Sequence, residues 1–108
     1  MEKTKVQIIR TAFRKIQKLS HEYFEDVAEI LLNMNLGEFG DQKKLKGYDN
    51  LWRTRKGDTR VVWYKYDIGV LVIGAGKRDT VYKELLKNPD ISNPYPLNDV
   101  LEIEEEKI

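Results

Sequence analysis

Apolar positions recur at helical spacing over the first third of the chain. Residues 11–19 carry Phe13 and Ile16 in one stripe, and residues 22–35 carry a second stripe of the same kind. The preceding residues 5–10 form a short apolar run with β-branched side chains, which predicts a strand. Two consecutive amphipathic helices predict a hairpin that must bury its apolar stripes against another layer.

The middle of the chain has the patterns of strands. Three runs rich in β-branched and aromatic residues predict strands at residues 51–55, 59–66 and 70–75. The residues between them, 56–58 and 67–69, suit short hairpin connections. Asp79 or Thr80 can cap a last helix that runs to about Leu86. The predicted order β-α-α-β-β-β-α is an α+β fold, a small antiparallel sheet with the helical hairpin packed on one face.

All three prolines follow the last predicted helix, so regular structure is expected to thin out there. We therefore predict a domain at residues 1–88 and an acidic, proline-containing tail at residues 89–108. The tail ends in a short element near residues 100–103 or stays without regular structure.

Length and composition restrict the class of protein. A chain of 108 residues is one domain by length, and it has no run of eighteen apolar residues that could span a membrane. The N-terminal residues lack the apolar centre of a signal peptide, and there are no cysteines. We therefore expect a cytoplasmic protein with no membrane partner, no disulfide, no thiolate nucleophile and no cysteine-based zinc site.

Charge is distributed unevenly behind a net charge of +1. Residues 43–87 hold twelve Lys and Arg against five Asp and Glu, whereas residues 88–108 hold one against six. Such a basic centre favours a polyanionic partner, although solvated basic strands would give the same count. One hypothesis is that the acidic residues 102–106 fold back on the basic centre and compete with RNA.

The basic centre combines cations with aromatic side chains on predicted strands. Strand alternation places Arg53 and Arg55 on one face, where both can bind one phosphate or two adjacent ones. Arg60 follows on the next strand, Arg78 ends the last strand, and Tyr82 lies just inside the last helix. Further lysines are candidates for RNA contact: Lys43, Lys44, Lys46 and Lys77. RNA is therefore the first substrate to consider, with no metal or other cofactor needed.

Three sequence blocks carry a resemblance to a known family. They are Lys43-Lys44-Leu45-Lys46-Gly47, the stretch from Trp52-Arg53-Thr54-Arg55 to Arg60-Val61-Val62, and Gly76-Lys77-Arg78 with Tyr82. Together, in this order, they resemble the RelE/ParE superfamily of bacterial toxins, and most of all the RelE-type mRNA interferases. The resemblance covers roughly residues 5–86.

That resemblance implies a microbial RNase-like fold and a metal-independent endoribonuclease that cleaves mRNA in the ribosomal A site. The ribose 2′-hydroxyl would attack the adjacent phosphate, and a cognate antitoxin would neutralise the activity. Arg53 and Arg55 match paired basic residues of the family. Arg60 matches the transition-state arginine, Arg78 the leaving-group arginine, and Tyr82 the tyrosine near the attacking hydroxyl.

One departure concerns the general base. Arg53 and Arg55 stand where the RelE enzymes carry lysines, and a guanidinium does not lose its proton in proteins. Proton abstraction then falls to Tyr82 or to no strong base at all. The lone His21, at a helix junction, is interpreted as a structural or capping residue.

Two other functions remain open at this point. A ParE-like inhibitor of DNA gyrase would have the same fold without RNase chemistry, although such proteins generally lack the full set of basic residues and tyrosine. A non-catalytic module that binds RNA or the ribosome would need the charge alone.

Overall fold

A six-stranded mixed sheet forms one layer of the protein. The computed structural model describes residues 4–67, 69–85 and 88–107, with side chains through residue 103. The strands are β1 (Lys5–Ile8), β2 (Asp41–Lys44), β3 (Leu51–Lys56), β4 (Thr59–Tyr66), β5 (Gly69–Lys77) and β6 (Tyr95–Pro96). Their order across the sheet is β2-β3-β4-β5-β1-β6.

Four helices accompany the sheet in these described ranges. They are α1 (Arg10–Gln17), α2 (His21–Asn35), α3 (Arg78–Lys83) and α4 (Leu97–Lys107). The two predicted N-terminal helices and the first strand are confirmed, with their ends shifted by one or two residues. The α+β class and the helical hairpin packed on the sheet are therefore confirmed as well.

The core lies between α2 and the central strands. Trp63 on β4 is 1% exposed, and its indole Nε1 donates to Thr54 Oγ1 on β3 at 3.1 Å. The Thr54 hydroxyl in turn donates to the carbonyl oxygen of Phe39 at 2.9 Å. The Trp63 ring also packs against Phe39, with ring centroids 5.0 Å apart. This network joins β3, β4 and the loop that follows α2.

The sheet has more strands than predicted, and one of its strand pairs is parallel. The pairs β3–β4 and β4–β5 are antiparallel, as predicted, and the pair β2–β3 is antiparallel as well. Strand β1, however, pairs with β5 in parallel. The helical hairpin is part of the long connection between these two strands, which parallel pairing requires. The exposed strand β2 was not predicted, since its residues Asp41–Lys44 lack any apolar alternation.

The last predicted helix is shorter than expected. Helix α3 begins at Arg78, after Lys77 as its N-cap, so Asp79 and Thr80 lie inside its first turn. It ends at Lys83, and Leu86, the predicted end, lies outside the described residues. Ile68, in the predicted connector between β4 and β5, also lies outside them.

The segment predicted as an acidic tail forms β6 and α4. Leu97, Val100 and Ile103 of α4 are buried, and the helix contacts α1, α2, β1 and β6. Tyr95 of β6 stacks on Phe13 of α1, with ring centroids 3.9 Å apart. Helix α4 thus packs at the β1–β6 end of the sheet, away from the basic residues of β2 and β3, while the side chains of residues 104–106 lie outside the described part.

Within residues 4–67, 69–85 and 88–107, none of the helices combines the length and the apolar character that crossing a membrane requires.

Candidate nucleic-acid interface

Strand register gathers four of the predicted cations on one face of the sheet. Arg55 lies directly opposite Arg60 on β4 and opposite Asp41 on β2, while Arg53 lies opposite Lys43. Directly opposed residues of antiparallel strands project from the same face. Lys43, Arg53, Arg55 and Arg60 therefore share one face, which we call the basic face.

The turn between β3 and β4 is anchored to α2 on the other face. The ammonium group of Lys56 pairs with the carboxylates of Glu29 and, at 3.3 Å, Asp26. The hydroxyl of Tyr23 donates to the Asp58 carboxylate at 3.1 Å. That hydrogen bond raises the pKa of Tyr23 above its ordinary value, while the bond to Glu29 raises the pKa of Lys56. These contacts hold the ends of the two arginine-bearing strands in place.

Arg53 and Arg55 both bind Asp41. The Nε of Arg55 donates to Asp41 Oδ2 at 2.7 Å, and its Nη2 lies 2.7 Å from the same oxygen. The Nη1 of Arg53 donates to the backbone carbonyl oxygen of Asp41 at 2.8 Å and lies 3.5 Å from Oδ1. The hydrogen bond from Arg55 holds the pKa of Asp41 below its ordinary value, with a smaller contribution from Arg53. The carboxylate is thus a charged acceptor shared by two guanidinium groups.

Arg60 is buried, which the sequence did not indicate. Its residue exposure is 6%, and its Nη1 donates to the carbonyl oxygens of Gly57 at 2.7 Å and Thr59 at 3.0 Å. Gly57 has a φ of +57°, a conformation that suits glycine in a tight hairpin. Arg60 therefore stabilises the β3–β4 turn, and a substrate would reach its guanidinium only with movement of the surrounding side chains or turn.

Helix α3 lies over the basic face. Gly74 of β5 is directly opposite Val62, which is itself opposite Arg53 on β3. A Cβ atom on Gly74 would lie 3.3 Å from Val81 Cγ1 and 3.6 Å from Leu85 Cδ1. Val81 of α3 and Leu85, just after α3, thus cover the same face of the sheet that carries Arg53.

Two of the predicted catalytic residues are on α3. The backbone N–H of Arg78 donates to the carbonyl oxygen of Asp58 at 2.9 Å, which ties the start of α3 to the β3–β4 turn. The Arg78 side chain is exposed, and Tyr82 one turn later is 38% exposed. The fold therefore brings the start of α3, with Arg78, close to the β3–β4 turn that lies between Arg55 and Arg60.

The other lysines predicted to contact RNA do not gather on the basic face. Lys44 lies opposite Trp52, and alternation along β2 places it on the other face from Lys43. Lys46 is exposed in the loop after β2, and Lys77 is exposed at the end of β5. Only Lys43 of this group shares a strand-face position with the arginines.

Asp41 is the residue of this site that sequence reasoning missed. It follows the predicted loop at residues 37–40, and nothing in the sequence distinguishes its carboxylate from those of the other acidic residues. The available signal was its register, since a strand over residues 41–44 would place Asp41 beside Arg55. That strand has no apolar pattern, so the register was not readable from the sequence.

Other candidate chemistry is limited in the described part of the chain. No group of three His, Cys, Asp or Glu side chains there is arranged so that it could hold a metal ion. The Nε2 of His21 lies 2.8 Å from Oε1 of Glu25, four residues later on the exposed surface of α2.

The arrangement resembles solved structures of one kind. The free-state structure of a double mutant of the E. coli toxin RelE is similar at 23% identity and a TM-score of 0.60, over 81% of this chain and 97% of that chain. The toxin–antitoxin complex RelBE2 from Mycobacterium tuberculosis is similar at 20% identity and a TM-score of 0.60, over 72% and 100%. The RelB–RelE complex from Methanococcus jannaschii follows at 18% and 0.59, over 73% and 98%. No family model and no curated protein matches the chain.

The shared features define a class of small α+β proteins in which a helical hairpin backs a sheet. Within that class, the chain has the RelE-type toxin fold. The fold predicted from the three sequence blocks is thereby confirmed, while the chemistry of the basic face has to be argued from this chain's own residues.

Proposed function

We propose that this chain is the toxin of a toxin–antitoxin system and acts as an endoribonuclease on mRNA in the ribosomal A site. The observation that carries the proposal is the convergence of Arg53, Arg55 and α3 on one face of a RelE-type fold. Fixed positive charge on that face, combined with the exposed phenol of Tyr82 on α3, would suit the binding and cleavage of a phosphodiester.

The arginine pair is the best candidate for holding the phosphate. The Arg55 side chain is 51% exposed, so it is accessible from solvent. The Arg53 side chain is 13% exposed and is held by a backbone carbonyl, so its position is fixed before substrate arrives. One exposed and one fixed guanidinium can bind two oxygens of the same phosphate group or of neighbouring groups.

The ribose 2′-hydroxyl would attack the adjacent phosphorus, giving a cyclic phosphate and a free 5′-hydroxyl. Tyr82 is the candidate for accepting the proton of the attacking 2′-hydroxyl. Arg78 is the candidate for stabilising the charge on the leaving 5′-oxygen, which takes its proton from water. The transition-state role of Arg60 stays a prediction, because in this conformation its Nη1 binds the β3–β4 turn. Loss of one such electrostatic contact commonly lowers a rate by about 10²–10³.

The proposed partners follow from the same interpretation. Two of the similar structures are complexes of a toxin with its antitoxin, which supports a protein antitoxin as the partner of this chain. We also propose dependence on the ribosome. A site without a strong general base gains most from a partner that orients the 2′-hydroxyl in line with the leaving oxygen.

Expression in a bacterium tests the proposal. Wild-type protein should arrest growth and produce mRNA cuts at A-site codons, mapped by sequencing RNA ends. Arg55→Ala and Tyr82→Phe should each reduce cutting by about tenfold or more, since each removes a group from the site. Arg14→Ala removes an exposed cation from α1 and is the matched control, with cutting unchanged.

The other outcomes separate the competing functions. Arrest with intact mRNA and inhibited DNA supercoiling would favour a gyrase inhibitor of the same fold. Absence of arrest, with RNA or ribosome binding retained, would leave a non-catalytic binding module.

A further inference from the structure

The Asp41 carboxylate occupies the part of Arg55 that an oxyanion ligand would use. The Nε and Nη2 atoms of Arg55 form one edge of the guanidinium, and both lie 2.7 Å from Asp41 Oδ2. An edge of this kind can make paired hydrogen bonds with carboxylate or phosphate oxygens. The protein's own carboxylate therefore stands where a phosphate oxygen of RNA would bind.

The contact is built so that it can open without disturbing the sheet. The side chains of Asp41 and Arg55 are 48% and 51% exposed, so both can exchange their partner for solvent or ligand. The Nη1 of Arg53 lies farther from the carboxylate, 3.5 Å from Oδ1, and it also donates to the backbone carbonyl of Asp41 at 2.8 Å. That carbonyl stays in place when the carboxylate moves. Release of the carboxylate would free Arg55 and leave Arg53 in position.

We propose that Asp41 is an internal competitor for the phosphate subsite of Arg53 and Arg55, which RNA must displace before it binds. The inference rests on the proposed function, because it assumes that this subsite takes a phosphodiester of single-stranded RNA. It deepens that function by making affinity for free RNA low. A phosphate that the ribosome already orients displaces the carboxylate more readily than one on a flexible strand.

A different arrangement would be expected if Asp41 only positioned the arginines. In that case its removal would let Arg55 swing away and would weaken RNA binding. The two roles therefore predict opposite signs for the same substitution, Asp41→Asn, which keeps the size of the side chain and removes its charge.

The test measures binding of a ten-nucleotide single-stranded RNA, with its 2′-hydroxyls methylated to prevent cleavage, over a range of salt concentrations. Asp41→Asn should bind about two- to fivefold tighter than wild type at low salt, as expected for the loss of an exposed ion pair. Its log affinity should also fall more steeply with log salt, by up to about 0.7 if RNA binding neutralises one more phosphate. Asp49→Asn removes the same charge from the exposed loop after β2 and should change affinity less.

Two further measurements keep the outcomes distinct. In wild type, the Asp41 side-chain carboxyl ¹³C signal should shift as RNA is added, because the carboxylate loses Arg55. Equal or weaker binding by Asp41→Asn, with Arg55→Ala weaker than wild type, would overturn the inference and leave the phosphate subsite intact. If Arg55→Ala also binds as wild type does, the subsite itself is absent, and the proposed function fails with the inference.

Discussion

At the residue scale, the buried indole of Trp63 depends on a single neighbouring hydroxyl. Thr54 is 3% exposed, accepts from Trp63 Nε1 at 3.1 Å and donates to the Phe39 carbonyl at 2.9 Å. Thr54→Val keeps the shape and removes both hydrogen bonds, which leaves a buried donor unsatisfied. We expect a loss of about 1–3 kcal/mol in the free energy of unfolding, measured by urea denaturation followed by tryptophan fluorescence.

Thr54→Ser is the matched variant, because it keeps the hydroxyl and removes only a methyl group. It should cost about 0.8 kcal/mol. A serine variant as destabilised as the valine variant would show that packing of the methyl, rather than the hydrogen-bond network, accounts for the effect.

Residue types were readable from the sequence, whereas their partners were not. Alternation correctly placed Arg53 and Arg55 on one face, because a strand has a period of two. The burial of Arg60 and the double contact of Asp41 depend on turn geometry and cross-strand register. Neither leaves a pattern of apolar and polar positions, so neither could be predicted.

At the element scale, strand β5 has glycine at two positions where a different neighbour leaves little room for a side chain. A Cβ on Gly69 would lie 2.2 Å from the backbone oxygen of Lys5 on β1, whereas one on Gly74 would meet the Val81 side chain at 3.3 Å. The Lys5 backbone cannot move away from a Cβ atom on Gly69 without breaking the parallel pairing of β1 with β5. We expect Gly69→Ala to cost more than the roughly 1–3 kcal/mol usual for overpacking, and Gly74→Ala to fall at the low end of that range.

Thermal or urea unfolding of the two variants checks the order. Equal losses, or a larger loss for Gly74→Ala, would contradict the close approach of β1 to β5. The parallel pairing itself was not predicted, because the apolar run at residues 5–10 is equally consistent with either direction. The short strands β2 and β6 were missed because their four and two residues carry no periodic pattern.

At the scale of the whole molecule, the basic strands β2 and β3 and the C-terminal helix α4 lie at different ends of the sheet. The basic residues of β2 and β3 lie at one edge of the sheet, and α4 packs near the other. The hypothesis that the acidic segment folds back over the basic centre is therefore not favoured by the position of α4. The carboxylate that pairs with Arg55 on the basic face is that of Asp41, which comes from the strand at that edge.

The packing of α4 also bears on how the chain divides. The division into a domain at residues 1–88 and a tail at residues 89–108 stays a prediction. Helix α4 contributes Ile103, which is 5% exposed, to the core. Ile103→Ala should lower the free energy of unfolding by about 2–5 kcal/mol, because a buried isoleucine leaves a cavity. Leu36→Ala, at a position 50% exposed, is the control and should change stability by less than about 0.5 kcal/mol. Urea denaturation distinguishes the two possibilities, since an Ile103→Ala variant as stable as wild type would mean that the first 88 residues fold without support from α4.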